Sequence, residues 1–512
     1  MRDPSMKVLQ QHTKSVSQKK RNKLTAKAPI DEKSMLATGS ALEHSLSKKE
    51  QRALERRGYK LDESGDSSGT ADDVDDADLV QDKYNESIAA LSNKYANKEQ
   101  RISAIGNYAN LLGCSYGGFA IQAALPDIMT QLVRNVRRGD HCEIQTALHA
   151  IMMTAVSCTS SSDAGIVFDS TLATLKKLVK DPTTHNSDRV LAIRAMALVT
   201  VCGCGIPAIA EKLADFLLEI AETDGGSVHC FDSGSVVTEA IQSWCFVVSY
   251  MVDAAEEDQD DDDDDDDADS TGACVEVYQE AERRSAKPST EDGYDSNDFL
   301  HGEDYLVSQS QRAFDVFVDQ LQSEDVDVQM SAASAIALLF EASRIYTEHQ
   351  GCALDLQCNP AQLVEEMCAI GRGAERSSKS AKPDDRRRLR ACLRDVVTSL
   401  ERAKGPSYRT TLDPKSLDPN GGSGCESEHG YKEGVVLGGR YMTVDTWCKS
   451  IRISMLRSVL KQGFGKHLSD NLLVQHMIEA KDLQETPMSQ YRESGKAVKL
   501  WRLSKSKKRH SQ

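Results

Sequence analysis

Asp325-Val-Asp-Val-Gln-Met-Ser-Ala-Ala-Ser-Ala-Ile-Ala-Leu-Leu-Phe-Glu341 is the stretch on which the reading of the chain turns. Asp325 suits an N-cap, because its carboxylate can accept a hydrogen bond from a free amide of the first turn. Asp327 adds negative charge where the helix dipole is positive. From Val328 onward the polar face almost vanishes: Met330, Ala332, Ala335, Ile336, Leu339 and Phe340 point all round the helix. A helix apolar on every side, yet too short for a membrane span, predicts burial inside a stack of helices. The alanines let neighbouring helices come close, while Ile336, Leu339 and Phe340 fill the space between them.

The pattern is Val-x-x-x-Ala-x-x-Ala-Ile-x-x-Leu, an inner-helix pattern of armadillo and HEAT repeats, and it recurs. Its copies are anchored at Ile102, Ile144, Leu191 and Val236, at intervals of 42, 47 and 45 residues. Those lie within the range of roughly 40–47 residues that defines such repeats. Val328 follows Val236 by 92 residues, about twice the repeat. The excess is an acidic insertion, Glu256-Glu-Asp-Gln-Asp260 followed by an unbroken Asp run to Asp267. Like charges at that density cannot pack. With residues 255–300 set aside, the period is restored. Companion helices are expected between the copies, at Gly118–Val136, Val167–Val179 and Pro207–Ile220.

The fold class predicted is therefore all-α, an armadillo/HEAT-type α-solenoid over residues 80–400. A disordered N-terminal region, 1–79, precedes it. That region holds the basic cluster Lys19–Lys23, a short helix opened by Ser47 and Glu50, and an acidic linker over 62–78. A Gly-, Pro- and Ser-rich disordered loop is expected at 401–437, and a C-terminal helical region at 438–480. That region is built on Trp447, Ile451, Met455 and Val459 at a four-residue spacing, with Trp447 in its core. Residues 481–512 are a basic tail.

Composition narrows the function. The 512 residues are 28% charged with a net charge of -17, which argues against the whole chain being a nucleic-acid binder. Fourteen cysteines lack the paired spacing of a zinc site and suit reduced thiols of a cytoplasmic or nuclear protein. With no apolar signal core and no long apolar run, neither a membrane nor a small-molecule substrate is expected as a partner. No phosphate-cradling loop, nucleophile elbow or metalloprotease spacing occurs. Gly421–Gly424 lacks a preceding strand, and His467 and His476 are nine residues apart. No catalytic, cofactor or metal residues are nominated, and an enzymatic reading lacks a candidate trio.

Two basic segments are nucleic-acid candidates. One is the helix carrying Arg386, Arg387, Arg388, Arg390 and Arg394, whose arginines either track phosphates or pair with Asp384, Asp385, Asp395 and a facing helix. The other is the tail, where Lys505, Lys507, Lys508 and Arg509 stand beside the stacking ring of Trp501.

Three blocks taken together resemble the interferon-related developmental regulator family. They are Val328–Glu341; Lys382–Val397 with Asp385-Arg386-Arg387 and Leu393-Arg394-Asp395-Val396; and Tyr441-Met442 through Asp445, Trp447, Leu460, Gly465 and His467-Leu468. The resemblance implies a helical-repeat fold without catalysis or cofactor. It also implies partners of one of two kinds. Transcriptional co-regulators of the family contact repressor and deacetylase complexes, an activity that here would use the concave face of the solenoid. Other members bind ribosomes and restrain translation, with C-terminal basic parts against ribosomal RNA.

Overall fold

The computed structural model describes residues 72–478, apart from 94, 205–206, 232, 258–304, 350, 352–353, 355, 377–381, 413–425, 432 and 438–439. Two compact units divide at Asp73/Val74. The first lies almost wholly outside the described residues, with the Lys19–Lys23 cluster and the Ser47 helix. The tail residues Trp501, Lys505, Lys507, Lys508 and Arg509 also lie outside them.

In the second unit, helices of two rows alternate along the chain. The inner row is α2 (Lys98–Cys114), α5 (His141–Val156), α7 (Asn186–Gly203), α9 (Gly234–Glu257), α11 (Val326–His349) and α13 (Pro383–Arg402). Every consecutive pair of this row packs together. Between them come α4 (Leu125–Arg138), α6 (Ser161–Lys180), α8 (Pro207–Glu222), α10 (Tyr305–Gln320) and α12 (Pro360–Arg376), the outer row. Each of the five predicted repeat anchors falls on a different inner helix, so the repeat reading holds: the chain is an all-α solenoid.

Local signals fix the helix starts. Asn97 and Gln100 form a capping box at α2, and Asp140 and Glu143 form another at α5. Asp325 caps α11 as expected, its Oδ1 accepting from the Asp327 amide at 2.8 Å. Ala332, Ala335, Ile336 and Leu339 are fully buried, and Trp447 is buried as well. Phe340 is only half-buried, set edge-on to Phe314 of α10 at 6.2 Å between ring centroids. α9 is long and apolar enough, by length and composition, to cross a membrane. It is a core helix here, packed against α7 and α11.

Polar rungs join neighbouring inner helices at the repeat spacing. Arg101 Nε donates to Glu143 at 2.8 Å, and Arg194 Nε donates to Glu239 at 2.8 Å. His141 Nδ1 lies 2.8 and 3.0 Å from the carboxylate oxygens of buried Asp188. Gln242 Nε2 donates to Ser331 Oγ at 3.0 Å across the insertion, 89 residues away in sequence. The fully buried Arg189 donates to the carbonyls of Val179 and Asp181 at 3.2 and 2.6 Å, satisfying the exposed end of α6.

Several boundaries differ from the sequence reading. A helix α1 runs Asp72–Leu91, starting inside the stretch expected to be an acidic linker, because aspartates at a helix N-terminus oppose its dipole. The Tyr84 hydroxyl on α1 donates to the Ser115 carbonyl at 2.8 Å. The companion helix expected over Gly118–Val136 is broken into α3 (Gly118–Gln122) and α4, with Pro126 starting the second piece. α9 continues to Glu257, slightly into the expected insertion, and the remainder of 258–304 lies outside the described residues.

The largest difference is at 401–437, expected to be a loop. Its described residues build β1 (Tyr408–Leu412), β2 (Glu426–Tyr431) and β3 (Gly434–Leu437), and β4 (Arg440–Thr443) follows. β1 pairs antiparallel with β2, and β3 with β4. Beyond them lie α14 (Trp447–Leu460), α15 (Phe464–Asp470) and α16 (Leu472–Met477).

Candidate docking surfaces

The arginine helix α13 closes the inner row as described. Arg387, Arg388, Arg390 and Arg394 are exposed and Arg386 is half-buried. Much of their charge is answered within the fold. Arg387 pairs with Asp384 at 3.1 Å, one turn back. Arg388 reaches Asp327 of α11 at 3.1 Å and Asp385 at 3.7 Å. Arg390 Nε donates to the Arg386 carbonyl at 3.2 Å. Arg388 thus ties two inner helices together, while Arg394 stands exposed to solvent.

The second surface is one that the sequence did not reveal. α14, α15 and α16 lie across the C-terminal halves of the inner helices, and polar ties hold them there. Glu341, the last residue of the repeat pattern, accepts the backbone N–H groups of Trp447 and Cys448 at 2.9 and 3.0 Å. It thus caps α14 from another helix, placing a carboxylate on the positive end of the α14 dipole. Burial pushes the Glu341 carboxyl above the usual range even though both amide bonds pull it down. Trp447 Nε1 donates to Ser399 Oγ of α13 at 2.9 Å.

Farther along, Arg452 is buried, with Nε donating to Ser249 Oγ at 3.1 Å and its guanidinium 4.1 Å from the Tyr250 ring centroid. The Tyr250 hydroxyl in turn donates to the Met477 carbonyl at 3.2 Å. His149 Nε2 lies 3.2 Å from the Val459 carbonyl, and fully buried His467 places Nε2 2.6 Å from the Leu112 carbonyl of α2. Asn471 Nδ2 donates to the Val156 carbonyl of α5 at 2.7 Å. A side chain at Gly463 would strike the Gly113 backbone, so only glycine permits this approach. Apolar packing by Ile453, Leu456, Val459, Leu468 and Met477 completes the seam. The three short helices form a brace from the first inner helix to the last.

At the C-terminal halves of α2, α5, α9 and α11 the chain's own helices pack against the inner row, so those parts are not open to a partner. The polar residues that hold the brace, Glu341, Arg452, His467 and Asn471, are all buried, but nothing local to them in the sequence names their partners.

A model of the interferon-related developmental regulator family matches residues 45–401. The chain belongs to this family. No curated protein matches the chain. The family match takes in the whole repeat array and stops at the end of α13, so β1–β4 and the brace lie beyond it. Two of the three resembling blocks fall inside it and the Tyr441–Leu468 block falls outside.

Membership of the interferon-related developmental regulator family makes the chain a regulator in the general sense, and a helical-repeat fold agrees with regulation by binding. A cavity of about 410 Å³ between α8 and α10 is lined by Glu222, Gln311, Arg312, Asp315, Val316, Asp319 and Gln320. Arg312 is engaged there with Glu222 at 2.6 Å. Among the described residues no group of His, Cys, Asp and Glu is arranged to hold a metal. The eleven described cysteines are free thiols, and burial pushes Cys202 up to about 12 and Cys392 up to about 11.

Proposed function

We propose that the chain is a non-catalytic docking regulator of gene expression, of the transcriptional co-regulator type, that holds protein partners on a braced helical array. The observation that supports this reading best is the brace itself. It ties the first inner helix to the last, so that the exposed sides of both rows are presented as one preorganised surface. Preorganisation lowers the ordering cost of binding, which favours docking of an extended partner. Partners would then meet the outer row and the N-terminal halves of the inner row, where Arg101 and Arg194 are partly exposed. The Lys19–Lys23 cluster would direct nuclear entry.

A second reading, a ribosome-binding factor restraining translation, draws on Arg387, Arg390 and Arg394, exposed near the end of the array, together with the basic tail. Sedimentation of a cell lysate at low and high salt separates the two. Migration in large complexes outside the ribosomal fractions supports the co-regulator reading. Ribosomal co-sedimentation that collapses as salt rises supports the second. A chain that migrates alone at both salts overturns docking altogether.

A further inference from the structure

We propose that the last turns of α4 and α6 form a docking surface for a short acidic peptide segment of a protein partner, an inference that rests on the docking reading above. α4 and α6 lie side by side in the outer row. Their C-terminal ends carry Arg134, Arg137, Arg138, Lys176, Lys177 and Lys180, all exposed. Arg137 joins the two ends, donating from Nε and Nη2 to Thr174 Oγ1 at 3.0 and 2.8 Å. Lys176 and Lys180 extend over the buried ring of Phe216 on α8, with Nζ 5.5 and 5.2 Å from its centroid.

Among the described residues no ion pair joins any of these six cations to a carboxylate. Several exposed cations elsewhere in the fold do have such partners: Arg312 with Glu222, Arg388 with Asp327, Lys466 with Asp470. On a chain of net charge -17, six exposed cations gather on two adjacent helix ends, with only the Asp181 carboxylate at the end of α6, among the described residues, acting on one of them, Lys177. Favourable placement at the negative end of a helix dipole accounts for cations in each last turn. It does not account for Arg134 and Lys176, which sit before it.

The geometry fits an extended acidic strand. Neighbouring helix axes are about 8–10 Å apart, and same-side residues of a strand recur every roughly 6.6 Å, so alternate carboxylates would bridge the two ends. A nucleic acid fits less well. The one ring beneath the lysines, Phe216, is buried and offers no face for base stacking. A long polyanion would also run off the patch into an acidic remainder. The sequence held a signal for this site: Arg137 and Lys177 are 40 residues apart, one repeat, each in the last turn of an outer helix.

The test uses the full chain and a variant, Arg138→Glu/Lys177→Glu/Lys180→Glu, with a fluorescent short poly-glutamate peptide and an oligouridylate of equal charge. The variant's unfolding midpoint should fall only slightly, since all three side chains are exposed and the loss is confined to the helix dipole and the Lys180–Phe216 contact. The expected result is peptide binding that weakens with salt and drops by at least about tenfold in the variant. Equal binding by both proteins, no binding by either, or patch-dependent binding of oligouridylate alone overturns the proposal. If partner complexes from lysate survive in the variant while peptide binding ignores the patch, this site falls and the docking reading stands. A wild-type chain that sediments alone removes the docking reading whatever the peptide does.

Discussion

Glu341 receives the backbone N–H of Trp447 at 2.9 Å across 106 residues of sequence, so the carboxylate that ends the last complete repeat pattern begins the first helix of the brace. The Cys448 amide, at 3.0 Å on the other carboxylate oxygen, makes the cap two-pronged. Glu341→Ala should cost about 2–4 kcal/mol, since it strands two buried amides and removes a charge-assisted cap. Glu341→Gln should recover little of this, because its amide group faces one of the donors. Equilibrium urea unfolding measures both, and a glutamine variant as stable as the wild type would show that the carboxylate is not the cap.

The rungs of the inner row predict a non-additive pair. Glu239 is almost wholly buried and Arg194 largely so, with Nε to Oε1 at 2.8 Å. Removing one partner alone, as in Glu239→Ala, should cost about 3–5 kcal/mol by leaving a buried charge unanswered. Replacing both with methionine should cost far less than the sum of the single changes. A double-mutant cycle that proves additive would remove this rung from the list of what holds α7 to α9.

Acid should loosen the brace before the rest of the array. Burial pulls both His149 and His467 below the ordinary imidazole value of 6.5, with Lys461 adding to the effect at His149 and Asp470 opposing it at His467. The neutral ring is the form the fold binds. Its contribution is complete above pH 6.5 and fades as pH falls through 6.5 toward the lowered values. Limited proteolysis within 447–478 should therefore accelerate between neutral pH and mildly acidic pH. In His149→Gln/His467→Asn that acceleration should be smaller, and an unchanged pH response would exclude the histidines as its source.

The alanines of the opening stretch should tolerate nothing large. Ala332 and Ala335 are fully buried between α9, α10 and α13 neighbours of α11. Ala332→Gln or Ala335→Gln overpacks the stack and buries an unpaired amide, at a cost of about 3 kcal/mol or more. Circular dichroism melts decide it: an unchanged melting temperature would take these positions out of the core.

What could be foreseen in the sequence divides along the range of the interactions. The repeats were legible because each inner helix must bury the same face against the next. Val236 and Val328 therefore keep their apolar pattern across an insertion that has none. The arginine helix was half legible: Arg387 with Asp384 and Arg388 with Asp385 are one-turn pairs written into local spacing, while Arg388 with Asp327 needs the fold. The strands at 408–443 were missed because they are short and paired two by two, with little alternation to announce them. The brace was missed for a different reason. Glu341, Arg452, His467 and Asn471 are ordinary polar residues in sequence, and only the partners 106, 203, 355 and 315 residues away make them structural.

Hydrogen exchange on the full chain tests most directly whether the braced array is one cooperative body. The amides of residues 453–460 in α14 should exchange as slowly as those of 241–248 in α9, because Arg452, Ser249 and Tyr250 join the two helices and both open only with the whole unit. Exchange in α14 that is fast while α9 remains protected would mean that the C-terminal helices ride on the array without bracing it.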